Sequence, residues 1–371
     1  MLAGNATSGT DVTVKWDGAP AVFFGHDPAD GKFFVAKKGI FNKNPKVYKS
    51  YADIDADTSG DLNQKLKDSF DELSKLGVPK GKVIQGDLMF SKGDLRNETI
   101  DGTKYLVFQP NTIAYAVPID SSLGREIKAA NIGIVLHTEY TGDSFENMKA
   151  SFGVDVSKFK KVKSVWAQDA QLRNLSGNVT MTAKETAEVT KALSDAGKIF
   201  RKIASSTLRE IEQNQVLAQT IETYNNTFVR KGQKITNTTK HVDGLIKYIE
   251  DKFQKDIDKL KSEKGKAGKR EKLAKFLEFF SDSNKANLKL IFDLQAAIVV
   301  VKENIINKLS KLNKIDTFVL TNNGYRVTGH EGFVAIDRVK GGAYKLVDRL
   351  EFSTNNFSPE IIKGWQSVTR K

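Results

Sequence analysis

The sequence predicts an α+β protein in which two strand-rich segments enclose a long helical segment. Residues 11 to about 142 alternate β-branched and aromatic runs with Gly, Asp or Pro turns, a pattern typical of strands. Residues 143–316 contain no proline, and apolar residues recur there at alternating spacings of three and four, which is typical of helices. Residues 317–352 return to strand patterns. The simplest arrangement is one domain of mixed and antiparallel sheets, built from both ends of the chain, with an all-α domain inserted into it.

In the strand-rich segments, residues 1–142 and 317–371, each strand and helix can be predicted from its own residues. In the first segment, the predicted strands are VTVKW, AVFFG, KFFVAKK, VIQGDLMF, KYLVFQP, TIAYAVP and IGIVLHTEY. One helix is predicted among them over residues 61–77, because its apolar residues share one face: Leu62, Leu66, Phe70, Leu73 and Leu76. In the closing segment, the predicted strands are DTFVLT, GYRVTG, EGFVAIDRV and AYKLVDRLEF.

The helical segment, residues 143–316, is predicted to contain four to six helices. Its two longest apolar stripes are Val189, Leu193, Ala196, Phe200 and Ile203, then Ile291, Leu294, Ile298, Val301, Ile305, Leu309 and Leu312. Residues 251–275 carry ten basic and five acidic residues. This stretch is either a solvated helix face with a loop, or a contact with nucleic-acid phosphates through Lys264, Lys266, Lys269 and Arg270.

Composition narrows the class of protein. The 371 residues carry 58 Lys and Arg against 45 Asp and Glu, and the resulting formal charge of +13 favours polyanionic partners, although a merely well-solvated basic protein has the same balance. The absence of cysteine excludes disulfides, thiolate metal sites and cysteine nucleophiles. The longest apolar run, AAIVVV, is too short to cross a bilayer, and polar residues follow Met1 where a signal peptide would be apolar. We therefore expect a cytoplasmic monomer that binds nucleic acid and no membrane.

Five short segments follow one another in a recognisable order. They are KWDG at residues 15–18, FVAKKG at 34–39, VIQGDLMF at 83–90, EGFV at 331–334 and AYKLV at 343–347. A lone K-x-D-G is weak evidence, but the ordered set, with each member on a predicted strand, is specific. In this order the segments resemble motifs I, Ia, III, IV and V of the covalent nucleotidyltransferase superfamily, which includes ATP-dependent DNA and RNA ligases and mRNA capping enzymes. Within it, the chain is most similar to phage or viral polynucleotide ligases, which would place it in the cytoplasm of an infected cell.

The resemblance implies a nucleotidyltransferase domain, ATP with Mg²⁺ or Mn²⁺ as cofactors, and a role for each motif residue. Lys15 is the implied nucleophile, Glu331 matches motif IV, and Lys345 matches the first lysine of motif V. Lys37 stands in motif Ia where arginine is usual, and Asp87 stands in motif III where glutamate is usual.

The chemistry of lysine adenylylation explains these residue types. A lysine such as Lys15 attacks the α-phosphorus of ATP only when its amine is neutral, so its surroundings must lower the amine pKa. Departure of pyrophosphate requires a metal ion on the phosphate oxygens, and the Glu331 carboxylate is the hard oxygen ligand that Mg²⁺ prefers. Lys345 would neutralise the charge that develops on the α-phosphate.

Further contacts follow from the resemblance alone. It implies that Asp87 takes a ribose hydroxyl and joins Glu331 as a metal ligand. It also implies that Asp17 acts in catalysis beside Lys15, and that Gly18 of motif I and Lys37 contact the nucleotide, Lys37 also meeting nucleic acid. An aromatic ring is expected to stack on adenine, and Phe108 in YLVFQP is the candidate.

The sequence departs from the family pattern at several positions. Pro20 occupies the place of a frequent motif I arginine, and Val347 stands where motif V usually has a second lysine. Either Lys340 substitutes for that lysine or the contact is missing. Only 24 residues follow Val347, too few for the OB-fold that DNA ligases and capping enzymes carry after motif V. The missing OB-fold favours a ligase that joins RNA strands over nicked DNA, and Pro20 also weakens the DNA-ligase interpretation.

Other interpretations stay open at this point. The chain could be an ATP-dependent DNA nick ligase, a guanylyltransferase or AMP transferase using the same lysine, or a degenerate domain that only binds nucleic acid. Lys15 could be an edge-strand lysine that promotes solubility, and Asp17-Gly18 could be only a hairpin turn. His330, next to Glu331, is expected to have a structural role.

Overall fold

The computed structural model describes residues 10–170, 182–310, 315–337 and 342–365, which form two compact units. The sheet unit comprises Thr7–Val179, Leu309–Asp348 and Asn355–Lys371. The helical unit includes Thr180–Lys308 and Arg349–Thr354. The two strand-rich ends of the chain therefore belong to one unit, and the helical segment leaves it and returns to it.

The strands lie mainly in the first 170 residues and after residue 315. Their bounds are β1 Thr10–Lys15, β2 Ala21–His26, β3 Phe33–Ala36, β4 Lys82–Ser91, β5 Arg96–Ile100, β6 Thr103–Phe108, β7 Ile113–Pro118, β8 Ile132–Thr141, β9 Lys149–Phe152, β10 Val165–Asp169, β11 Asp316–Thr321, β12 Gly324–Val327, β13 Gly332–Asp337, β14 Ala343–Leu346 and β15 Ile361–Ile362. The helices are α1 Tyr51–Asp57, α2 Gly60–Leu73, α3 Ser122–Ala129, α4 Ala183–Phe200, α5 Ser205–Gln213, α6 Gln215–Arg230, α7 Thr238–Asp258, α8 Glu263–Leu277, α9 Asp282–Ser310 and α10 Arg349–Phe357.

The strands form three sheets, here called A, B and C. Sheet A joins β1, β13 and β14, with Lys15 of β1 opposite Gly332 of β13. Sheet B has the order β10-β8-β4-β2-β3, with β9 also paired to β8, and sheet C has the order β12-β11-β7-β6-β5, with β15 paired to β11. Only β8 and β10 pair in parallel among the described strands. The predicted α+β class with antiparallel sheets is thus confirmed.

The core of the sheet unit follows from the two periodicities of strand and helix. Alternate residues of the sheet B strands turn to one face, where the stripe of α2 packs against them. This cluster is fully or nearly fully buried: Val22, Phe24, Val35, Leu66, Leu73, Ile84, Leu88, Ile132, Ile134 and Leu136. A second, aromatic cluster joins sheets B and C through Phe90, Phe108, Tyr115 and Trp166.

The helical unit has its own core. The three- and four-residue spacing along α7 brings Val242, Leu245 and Ile249 onto one buried face, which packs with residues of α6 and α9. The predicted stripe on α4 is only partly buried, because Val189 and Ala196 are covered whereas Leu193 and Phe200 are 49% and 54% exposed. No helix among the described residues is long and apolar enough to cross a membrane.

Two boundaries differ from the sequence prediction. The helical unit begins at Thr180 rather than at residue 143, because β9 and β10 extend sheet B beyond β8. The predicted last strand, AYKLVDRLEF, is divided: Ala343–Leu346 is β14, but Arg349 begins helix α10.

Candidate active site

A cleft of about 390 Å³ opens between sheets A and B of the sheet unit. Because strand residues alternate between faces, β4 turns Gln85 and Asp87 into the cleft while their neighbours Ile84 and Leu88 enter the core. The opposite wall consists of alternate residues of sheet A, with Thr13 opposite Val334 and Val334 opposite Lys345. The cleft lining is Thr13, Val14, Lys15, Trp16, Gln85, Asp87, Val135, His137, Thr138, Tyr140, Phe152, Ala170, Val334, Ile336, Ala343 and Lys345.

Lys15 ends β1 and lines the cleft, and its Nζ forms an ion pair with Glu331 Oε1. The pairing of β1 with β13 causes this contact, since Lys15 lies opposite Gly332 and Glu331 immediately precedes β13. The Lys15 side chain is 28% exposed, whereas that of Glu331 is 10% exposed. Lys15 lies on the edge strand β1, but its contact with a largely buried carboxylate favours a specific role over that of a merely solubilising lysine.

Burial raises the pKa of the Glu331 carboxyl from 4.5 to about 6. The positive charge of Lys15 opposes this shift, while the negative charges of Asp17 and Asp87 add to it. Glu331 is therefore a stronger base than an ordinary glutamate, and it is half protonated near pH 6.

Asp17 is buried and its carboxylate is fully engaged with the protein. Its Oδ2 accepts hydrogen bonds from the backbone N–H groups of Thr112 and Ile113 at 2.7 and 2.8 Å, and its Oδ1 accepts one from Asn111 Nδ2 at 2.8 Å. Its own N–H donates to Tyr115 Oη at 2.7 Å. Burial raises its pKa, and these hydrogen bonds oppose the shift. The predicted catalytic role of Asp17 is thus wrong in its direct form, because the carboxylate holds the residues after Lys15 in place and does not line the cleft.

Gly18 lies against motif III rather than in a hairpin turn. β1 and β2 belong to different sheets, so the chain between them crosses from sheet A to sheet B. A Cβ at Gly18 would lie 2.6 Å from Asp87 Cβ and 2.8 Å from Met89 Sδ, so only glycine permits this approach. Gly18 does not line the cleft, and its predicted role in nucleotide contact is replaced by close packing against β4.

Asp87 and His137 face each other in the cleft from neighbouring strands. Asp87 Oδ2 lies 3.6 Å from His137 Nε2, and His137 Nδ1 lies 2.8 Å from Thr138 Oγ1. Gln85, two residues before Asp87, accepts a hydrogen bond from the Tyr140 hydroxyl at 2.8 Å. Asp87 could be identified from the sequence but His137 could not, since a lone histidine in a strand carries no signal until the strand's partner is known.

The aromatic residues that line the cleft do not include Phe108, the residue predicted to stack on adenine. Phe108 is fully buried in the aromatic cluster, where its ring stacks on Tyr115 at a centroid distance of 5.5 Å. A ring without exposed surface has no face for a base, so the assignment of Phe108 to adenine stacking is wrong. Trp16, Tyr140 and Phe152 line the cleft instead, and Phe152 is 43% exposed.

Of the other lysines predicted to belong to the site, one lines the cleft and one does not. Lys345 lines the cleft from β14. Lys37 does not, because its Nζ pairs with Asp57 at 3.2 Å and lies 5.8 Å from the Tyr48 ring centroid. Lys37 is therefore no nucleotide ligand in this arrangement. Lys340 lies outside the described residues.

The basic residues proposed for phosphate contact lie on α8 of the helical unit. Lys264 and Arg270 are exposed, whereas Lys266 pairs with Glu263 and Lys269 pairs with Asp256 at 2.8 and 3.1 Å. Part of the predicted positive field is thus neutralised within the unit. Helix α8 continues through Gly265 and Gly268, so the stretch contains no loop at these two residues.

Two further observations concern metal binding and His330. No group of three or more acidic, histidine or cysteine residues is arranged to hold a metal ion in the described parts of the chain. Magnesium commonly binds through one or two carboxylates together with substrate phosphates, and of the two predicted ligands Asp87 lines the cleft whereas Glu331 contacts Lys15 beside it. His330 packs edge-on against Trp16, and burial lowers its pKa to about 4, which agrees with the expected structural role.

The C-terminal strand supports the loop that holds Asp17. Gly364 N–H donates to Asn111 O at 2.6 Å, and Gln109 Nε2 donates to Ile362 O at 2.8 Å. A Cβ at Gly364 would lie 1.9 Å from Gln109 O and 2.8 Å from Gln109 C, which are backbone atoms that cannot rotate away. The Gln109–Ile113 loop is therefore clamped between Asp17 and the segment after β15.

We expect Gly364→Ala to lower the free energy of unfolding by about 1–3 kcal/mol, the usual cost of overpacking a rigid site. Denaturant unfolding followed by circular dichroism measures this value. Gly93→Ala is the matched control, because a Cβ there meets nothing within 4 Å, and we expect a change within about 0.5 kcal/mol. Equal stability of Gly364→Ala and the parent protein would contradict the clamp.

No curated protein and no solved structure matches the chain. One family model matches residues 1–361, and its description is a family of unknown function, DUF6267. The chain belongs to the DUF6267 family.

Proposed function

We propose that the chain is an ATP-dependent polynucleotide ligase that adenylylates its own Lys15 and then seals 5′-phosphate and 3′-hydroxyl ends. One observation carries the proposal: residues from four distant segments meet at one site. Lys15, Asp87 and Lys345 line the same cleft, and Glu331 contacts Lys15. Composition and local pattern do not require such convergence, whereas lysine adenylylation does.

The Lys15–Glu331 pair supplies the nucleophile and a place for its proton. In the proposed step, the Lys15 ammonium first gives one proton to Glu331. The neutral Nζ then forms a bond to the α-phosphorus of the substrate ATP while the bond to pyrophosphate breaks, and the second proton leaves Nζ to the solvent. Glu331 Oε1 contacts Nζ, and the raised pKa of about 6 makes this carboxylate a suitable proton acceptor. The ion pair also holds Nζ at the cleft, which fixes the direction of attack.

The size of the cleft supports the proposal of a bound nucleotide. Its volume of about 390 Å³ lies within the range of about 300–1,000 Å³ that small-molecule sites occupy. Magnesium, when bound, would polarise the phosphate oxygens, and Glu331 and Asp87 are the carboxylates that would hold it. Lys345, on the opposite wall, would stabilise negative charge on the α-phosphate.

Aromatic residues give the cleft a place for the base. Phe152 is exposed and Tyr140 is oriented by its hydrogen bond to Gln85, so either ring offers a face to adenine. The indole ring of Trp16, which packs against Tyr115 at a centroid distance of 5.1 Å, forms another part of the cleft lining. Phe152 takes the place of Phe108 in the proposal.

The positive balance of the chain supports a polynucleotide as the second substrate. The formal charge is +13, and residues 180–308 alone carry 25 Lys and Arg against 17 Asp and Glu. Contacts of α8 with phosphates through Lys264 and Arg270 remain part of the proposal, because these two side chains are exposed.

Incubation with ATP or GTP labelled at the α-phosphate tests the proposal. We expect a covalent label from ATP with Mg²⁺, and its chase onto RNA with a 5′-phosphate end in preference to nicked DNA. Covalent labelling by GTP alone would indicate a guanylyltransferase. Absence of any covalent label would overturn the proposed chemistry and leave a nucleic-acid-binding protein.

A further inference from the structure

The segment between β3 and α1 is strongly basic and lies on a fixed backbone. Residues 37–49, KKGIFNKNPKVYK, contain five lysines and no acidic residue. The segment starts with a 3-10 turn, Lys38–Phe41, which Ile40 anchors by complete burial. The backbone N–H groups of Asn42 and Lys46 both donate to Gly39 O, at 3.2 and 3.1 Å. The segment therefore presents its side chains from a defined turn.

Phe41 extends the aromatic surface of the cleft outward. Its ring is 42% exposed, and its centroid lies 4.8 Å from that of Tyr140 and 5.6 Å from that of Phe23. Tyr140 itself lines the cleft that holds Lys15. Because two neighbouring rings support Phe41, its exposed face is presented in one orientation next to the candidate active site.

Three lysines of the segment are already paired within the sheet unit. Asp57 accepts Lys37 at 3.2 Å and Lys46 at 2.7 Å, and these contacts hold the pKa of Asp57 well below its usual range. Lys49 pairs with Asp27 at 2.6 Å. These lysines stabilise the segment and contribute little net charge at its surface.

The other two lysines, Lys38 and Lys43, flank Phe41 and are exposed. Neither has an ion-pair partner among the described residues. The surface around Phe41 thus combines one supported aromatic face with two unpaired positive charges. A protein or membrane partner would require a wider apolar patch, whereas the exposed residues close to Phe41 along the chain are Lys38, Asn42 and Lys43, and the adjacent Ile40 is buried.

We propose that Lys38, Phe41 and Lys43 form a platform for single-stranded nucleic acid beside the cleft. Phe41 stacks on an unpaired base, and the two ammonium groups contact adjacent phosphates. This combination binds single strands without regard to sequence, since every base has a π-face. The inference rests on the proposed function, because the strand on the platform would lead its end towards Lys15, but strand binding itself requires neither ATP nor adenylylation.

Fluorescence anisotropy with a labelled single-stranded oligouridylate, without ATP, tests the platform. Phe41→Ala is expected to weaken binding about five- to a hundredfold, the range for losing one base–aromatic stack. Phe41→Leu should lose as much, although it keeps apolar packing on Tyr140, and Phe41→Trp should retain affinity. Lys38→Gln with Lys43→Gln should flatten the log–log salt dependence by about 1.4, from two single-strand phosphate contacts.

Matched variants make the assay decisive. Phe200→Ala removes an exposed phenylalanine of the helical unit, and Lys104→Gln with Lys128→Gln removes two exposed charges of the sheet unit; both should bind as the parent does. Equal affinity of Phe41→Ala and the parent overturns the platform. So does an equal loss of affinity for a blunt duplex, because stacking on an unpaired base predicts a loss for single strands only. If Lys15 were not labelled, the proposed function would be overturned. The binding assay needs no ATP, so it would still test the platform.

Discussion

Replacement of Lys15 by alanine is expected to abolish covalent labelling of the protein by ATP that carries a labelled α-phosphate. Lys15 Nζ lies at the cleft and contacts Glu331, which no other lysine is seen to do among the described residues. Lys15→Arg should also abolish the label, because it keeps the positive charge beside Glu331 but its guanidinium is not a nucleophile. Gel autoradiography and the mass increase of one AMP measure the result.

Two variants control the experiment. Lys104→Ala removes an exposed lysine of β6, distant in sequence from every motif, and should leave labelling unchanged. Lys345→Ala should slow labelling without abolishing it, since Lys345 lines the same cleft but is assigned to the phosphate. A label that survives in Lys15→Ala and maps to Lys345 would show that the nucleophile is wrongly assigned.

The strands that carry the candidate site residues could be predicted from sequence because strands have local signals. The alternation around Lys15, Asp87 and Lys345 identified their strands, and the order of the motifs implied that these strands meet. The sequence could not indicate which faces of the sheets pack against each other. Phe108 and Phe152 are both aromatic residues of strands, yet the packing of sheet C against sheet B buries Phe108, whereas Phe152 lines the cleft between sheets A and B.

The partners of Asp17 were beyond prediction for a similar reason. Its carboxylate is satisfied by a loop about ninety-five residues away, and the segment around Gly364 supports that loop from a further 250 residues along the chain. Such long-range contacts leave no periodic pattern. The domain boundary was predicted too early because β9 and β10 are only four and five residues long, and β10 pairs in parallel with β8 rather than with its neighbour in the chain.

Loss of the Glu331 carboxylate is the second large effect that we expect. Glu331→Ala should slow Lys15 adenylylation at least about a hundredfold, the usual size for removing a group that organises charge in the transition state. Glu331→Gln should be similarly slow, because it keeps the shape and a hydrogen-bond acceptor but neither takes the Lys15 proton nor carries charge for a metal. Glu126→Ala, an exposed glutamate of α3, is the control and should label at the parental rate.

The pH dependence separates this role from a structural one. Because burial raises the pKa of Glu331 to about 6, the carboxylate form predominates above that pH and is lost as the pH falls through it. We therefore expect the single-turnover rate of labelling to be level above about pH 6 and to fall about tenfold per unit below it, as for one essential base. In Glu331→Gln this limb should disappear, so that its residual rate no longer depends on protonation near pH 6. A variant with the parental rate, or one that keeps the same limb, would show that Glu331 only packs beside Lys15 and that another group takes the proton.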